Sequence, residues 1–167
     1  MKILVLGLGN DLYGDDGVGL HAVRLLEQER AAGLLSAGID GDVRAVDFVP
    51  CALSGLALLE VVAGYDSLVI IDTIQRSDPV VGRVRILEME DIRDVPGPSP
   101  HYISVPQTLA LGRRLGLKMP ETIRIVAVEA KSHHSLGEGL SAAMRRRLPE
   151  IVAAANAVLK AVAGSPP

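Results

Sequence analysis

Apolar residues in this chain gather in short runs separated by polar, glycine-rich stretches, and the length and texture of those runs predict the elements. Residues 3–8 (ILVLGL) and 67–71 (SLVII) hold aliphatic and β-branched side chains without polar alternation. Such runs read as strands buried on both faces, as in a parallel sheet. Residues 43–49 and 122–128 (TIRIVAV) read as two further strands. In residues 82–88, Val84 and Ile86 alternate with Arg83 and Arg85, the pattern of a half-exposed strand at a sheet edge. Between these runs, helices are expected over 16–29, with Val18, Val23, Leu25 and Leu26 on one face, and over 53–63, closed by Gly64. Two more are expected over 104–115 and over the alanine-rich 141–162, which Pro149 should kink or divide. Residues 33–41 form a connection and Asp78-Pro79 a turn. Residues 94–101 (DVPGPSPH) form a stiff loop with His101 at its tip, and 131–139 a polar loop holding His133 and His134.

Strands alternating with helices imply an α/β fold, a single-domain three-layer sandwich whose twisted, mostly parallel sheet carries helices on both faces and one antiparallel edge strand. The domain should cover residues 1–163, with 164–167 as a fraying tail. A chain of 167 residues suits one such domain. With one Phe, three Tyr and no Trp, the core must be aliphatic. A net charge of −3 with so few rings argues against a nucleic-acid surface. The one basic run, Arg145 to Arg147, reads as a solvated helix face. The apolar stretch after Met1-Lys2 is too short for a signal-peptide core, and no run approaches a membrane span. A cytoplasmic monomer without membrane insertion is therefore expected. Cys51, alone, can form neither an internal disulfide nor a thiolate cage, and reads as a small buried hydrophobe.

Candidate chemistry concentrates in residues 2–19, KILVLGLGNDLYGDDGVG. In open α/β sheets ligands bind outside the carboxyl ends of the strands, and Gly7, Gly9 and Gly14 would let the chain turn there. Of the adjacent carboxylates Asp15 and Asp16, one can cap the following helix while the other points into the cleft. A dinucleotide site is the competing reading, because Gly7-Leu8-Gly9 begins like G-x-G-x-x-G. Against it, Leu12 stands where the third glycine would allow helix and strand to approach, and Asp11, Asp15 and Asp16 put negative charge near any pyrophosphate. A second carboxylate of interest, Asp72, ends the run 67–71. If strands 3–8 and 67–71 are parallel neighbours, Asp16 and Asp72 meet at one sheet edge, and His101 can join them. Two carboxylates and an imidazole suit an exchangeable borderline divalent ion such as nickel, zinc, iron or manganese, and can hold water for hydrolysis.

The order Gly7-Leu8-Gly9-Asn10 with Asp15-Asp16-Gly17-Val18-Gly19, then Asp72, then Ser99-Pro100-His101, with Gly139-Leu140-Ser141 before the last helix, resembles the hydrogenase maturation proteases. The resemblance implies an α/β endopeptidase that removes the carboxyl-terminal peptide from a nickel-iron hydrogenase large-subunit precursor once nickel is inserted. It implies Asp16 and Asp72 as catalytic and metal-contacting residues and His101 as the third ligand. The nickel would belong to the substrate, and other divalent cations could occupy the site in vitro. Two departures stand out: Asp47 leads into Phe48-Val49-Pro50-Cys51 where a glycine-containing turn is usual, and Glu129-Ala130-Lys131 lacks a usual proline. A nickel-sensing accessory protein without cleavage activity and a nucleotide-binding Rossmann-like module remain as alternatives.

Overall fold

A computed structural model describes residues 1–34, 45–89, 91, 100–131, 136, 137 and 139–164, with the side chains of 100–104 outside the description. Its elements run β1 (Lys2–Leu8), α1 (Val18–Ala31), β2 (Ala45–Cys51), α2 (Leu58–Val62), β3 (Ser67–Gln75), β4 (Val84–Leu87), α3 (Pro100–Arg114), β5 (Thr122–Ala130) and α4 (Ala142–Gly164). The strands form one sheet in the order β2-β1-β3-β5-β4. All neighbours are parallel except β4, which runs antiparallel to β5 at the edge.

The unbroken apolar runs have their cause in this order, since β1, β3 and β5 are interior strands. Ile3, Val5, Val69, Ile71, Val126 and Val128 face α1 and α4, joined by Val23, Leu26, Met144 and Leu159. Leu4, Leu6, Leu68, Ile70, Ile123 and Ile125 face α2 and α3, joined by Leu58, Val105 and Leu109. Burial on both sides removes the polar alternation a one-sided sheet would show. The expected three-layer α/β architecture with an antiparallel edge strand is therefore what the chain adopts.

Several boundaries differ from expectation. The strand anticipated over 67–71 continues to Gln75 because β5 pairs with it as far as Gln75↔Ala130. Asp72 thus sits inside the strand rather than past its end. The first helix begins at Val18, after a 3-10 turn over Gly14–Gly17 that contains both aspartates. Of the helix expected over 53–63, only a 3-10 turn, Gly55–Ala57, and the short α2 form. Helix α3 starts at Pro100, so His101 belongs to its first turn instead of a loop tip. Proline suits a first helical position, where its missing N–H has no intrahelical partner to lose. Pro106 lies within α3 and Pro149 within α4, and neither divides its helix. On β4 the anticipated alternation is partly inverted: Ile86 is 48% exposed, while Arg85 reaches a buried carboxylate. Residues 43 and 44, most of the 33–41 and 131–139 connections, His133, His134 and the tail 165–167 lie outside the described residues.

Candidate active site

Everything that could do chemistry here depends on how closely the first turn presses onto the sheet. A side chain at Gly7 would collide with the Gly19 carbonyl oxygen, and one at Gly19 with the carbonyls of Leu8 and Ile71. The start of α1 is therefore seated on the carboxyl ends of β1 and β3 by two glycines facing each other. Gly9, at φ 143°, lies against the Asp16 carbonyl, which a β-carbon would strike. That contact fixes the backbone of Asp16 over the sheet edge. Leu12, by contrast, is 61% exposed, so the missing third glycine of the dinucleotide pattern does not mark the close approach.

Asp16 and Asp72, far apart in sequence, come together as expected. Pairing of β1 with β3 ends at Gly7↔Ile71, and β3 runs on alone on that flank. Both carboxylates are buried. They meet around Thr73, whose hydroxyl donates to Asp16 Oδ1 at 3.1 Å and whose amide donates to Asp72 Oδ1 at 2.7 Å. Asp72 Oδ2 is buried with no hydrogen-bond partner among the described residues. Burial, reinforced by the nearby charge of Asp16 and only partly offset by the Thr73 amide, pushes the Asp72 carboxyl up to about 8.

Neither aspartate caps α1, whose N-terminus has no side-chain cap. Asp15 instead reaches the last helix: its Oδ1 accepts the Ser141 amide at 2.7 Å and its Oδ2 the Ser141 hydroxyl at 2.9 Å. Ser141 Oγ in turn accepts the Met144 amide at 3.1 Å, capping α4. Gly14 N donates to the Gly137 carbonyl at 2.8 Å and Gly137 N to that of Leu12 at 3.2 Å, so the loop after β1 and the segment before α4 are stitched together. Nothing in local sequence marks Thr73 or the Asp15–Ser141 pair, because both contacts are tertiary.

His101 lies in the helix that packs on the Asp72 face of the sheet, through Val105 and Leu109. Thr108 of that helix donates to the Gly55 carbonyl at 3.1 Å, just beyond the carboxyl end of β2. The turn bearing His101 precedes this anchor, and its imidazole lies outside the described side chains. Among the described residues no set of three His, Cys, Asp or Glu side chains is placed to hold a metal ion. The two carboxylates, with the orphaned Asp72 Oδ2, supply oxygen donors of the kind a divalent ion accepts.

The model of the hydrogenase maturation protease family matches residues 40–158, from the approach to β2 to the last helix. The chain belongs to that family. It is 29% identical over 159 residues to the hydrogenase 2 maturation protease of Escherichia coli K12, spanning 92% of this chain and 90% of that one. It resembles the solved hydrogenase maturating endopeptidase HybD from E. coli with a TM-score of 0.74 and 28% identity, over 97% and 94% of the two chains. The [NiFe] hydrogenase maturation protease HybD from Thermococcus kodakarensis superposes with a TM-score of 0.66 and 25% identity, over 95% and 99%. This maturation protease is thus a peptidase built on that α/β sheet.

The two segments where the sequence departs from the resemblance have structural occupations. Asp47 sits within β2 and accepts the Tyr65 hydroxyl at 2.8 Å, and burial, reinforced by that bond and by the Asp47 charge, pushes the Tyr65 phenol up to about 12. Glu129 is fully buried and accepts the Val80 amide at 2.9 Å and Arg85 Nε at 2.7 Å. Burial alone would raise its pKa, yet those donors outweigh it and hold the carboxyl below the usual range. Glu129 therefore anchors the edge strand. Among the described residues no helix is long and apolar enough to cross a membrane.

Proposed function

We propose that this protein removes the carboxyl-terminal peptide of a nickel-iron hydrogenase large-subunit precursor after nickel insertion, and that Asp16, Asp72 and His101 recognise the nickel carried by that substrate. The observation that carries this reading is Asp72 Oδ2, buried beside Asp16 at the carboxyl edge of the sheet and without a hydrogen-bond partner among the described residues. A buried carboxyl oxygen without a partner is costly to keep, and an ion or water supplied by the substrate satisfies it. The mature enzyme then needs no tight ion of its own, which suits a protease that tests whether its target is loaded.

In the cleavage step, Asp16 and Asp72 bind the ion or orient water against the scissile carbonyl. Water oxygen bonds to the carbonyl carbon, a carboxylate takes the water proton, and the carbon–nitrogen bond breaks as the amine leaves with a proton. In the metal-free protein the Asp72 carboxyl, pushed up to about 8 by burial, keeps its proton near neutrality, and a cation brought by the substrate would favour the ionised form and free it to act as the base. The cytoplasm is the compartment expected for such a reaction, with the precursor as partner and the monomer as working form.

The test is incubation of the purified protein with nickel-loaded and nickel-free precursor, followed by intact mass spectrometry. Shortening of the loaded chain alone is expected. Stable association with the loaded chain but no shortening would instead identify a nickel-sensing accessory protein.

A further inference from the structure

The two carboxylates are joined by a residue to which neither the family resemblance nor the proposed chemistry gives a part. Thr73 is itself buried, and it is the neighbour of Asp72 on β3. One N–H and one O–H of this single residue are directed at different carboxylates, the amide to Asp72 Oδ1 and the hydroxyl to Asp16 Oδ1. We infer that Thr73 is a positioning residue that fixes the orientation of Asp16 relative to Asp72. The inference rests on the reading that these two carboxylates act together.

Rigidity is what makes such a bridge effective. The backbone of Thr73 is held in register by β5, at Thr73↔Val128, and a β-branched side chain has few rotamers available at χ1. Asp16 sits in a short 3-10 turn rather than a sheet, so its carboxylate has less support from its own backbone. The hydroxyl transfers the order of the strand to the turn. With Oδ1 of both residues engaged by Thr73, the oxygen of Asp72 without a partner among the described residues is Oδ2. Catalytic groups displaced by about 1 Å can lose about a hundredfold in rate, so a donor that aims a carboxylate matters to turnover more than to fold.

Thr73→Val keeps the shape and removes the hydroxyl, whereas Thr73→Ser keeps the hydroxyl and trims a methyl. With nickel-loaded precursor, Thr73→Val should lower kcat by about tenfold or more with little change in KM, and Thr73→Ser should stay within about threefold of the unaltered enzyme. In the metal-free protein, the carboxyl 13C resonance of Asp16 should move in Thr73→Val and return in Thr73→Ser. If the valine variant is too unstable to study, Thr73→Ala against Thr73→Ser carries the same comparison. Equal losses in the serine and the hydroxyl-free variants, or an unmoved Asp16 resonance, would overturn the inference. Asp16→Asn separates the two readings: if it cleaves normally, the joint role of the carboxylates fails and the bridge loses its purpose. If Asp16→Asn is inactive while Thr73→Val turns over normally, only the positioning role fails.

Discussion

Asp16 and Asp72 are chemically the same side chain, made different by their surroundings. Asp72 is enclosed and held up to about 8, while Asp16 takes a hydroxyl donor from Thr73. Replacing Asp16 by Asn keeps size and hydrogen-bonding reach but removes the charge. Cleavage should fall to below about a hundredth of normal, with circular dichroism and Tm little changed. For Asp72 the pH dependence has a definite sign. Its folded pKa stands above the unfolded value near 3.9, so between about pH 4 and pH 8 the folded chain keeps a proton the unfolded chain has released. Stability of the metal-free protein should therefore fall as pH rises through that window and level off above it. Urea midpoints between pH 5 and pH 9 check this, and Asp72→Asn should flatten the decline. Asp72 was legible in sequence as a carboxylate closing an apolar run. Thr73 was not, since a threonine in a strand is unremarkable until its partner from another segment is known.

At the scale of elements, the glycine contacts and the Ser141 cap do different jobs. Gly19→Ala drives a methyl into the carbonyls of Leu8 and Ile71, backbone atoms that cannot swing aside, and should cost about 1–3 kcal/mol or more in urea unfolding. Ser141→Ala removes the hydroxyl that donates to Asp15 and accepts the Met144 amide, and with it the cap of α4. It should cost about 1–2 kcal/mol. The strands were readable because double-sided burial leaves an unmistakable apolar run. Helix starts were harder. Pro100 looked like part of a proline-rich loop, yet the same ring that stiffens a loop also suits the first turn of a helix. One aspartate of the 3-10 turn was expected to cap α1, but tertiary donors on Thr73 and Ser141 engage Asp16 and Asp15 instead.

For the whole molecule, the sheet order decides what can meet. With β1 beside β3, two segments remote in sequence share one edge; the alternation of elements predicted a parallel sheet, but the adjacency of these two strands entered it only as a condition. What the alternation could not show is how the other edge is held. Glu129 ties the amide of Val80 and the side chain of Arg85 to β5, joining the segment after β3 and the edge strand to the interior. Its carboxyl is held below the usual range, so it contributes stability above the unfolded value and loses it as pH falls through the folded one. Glu129→Gln should cost about 1–3 kcal/mol at pH 7, measured by denaturant unfolding, and the gap should close on acidification below about pH 4. Glu129 and Asp72 thus pull the pH profile in opposite directions, and the most stable metal-free protein should be found in mildly acidic solution.

The bond between Asp15 and Ser141 spans 126 positions. A ribosome delivers the first partner early and the second only when most of the domain has emerged. A partial translation product, or one clipped ahead of its final helix, would carry both acidic groups and yet lack the clasp that closes their loop. The chain's own order of synthesis therefore leaves the loop around the two carboxylates unfastened until Ser141 has been made.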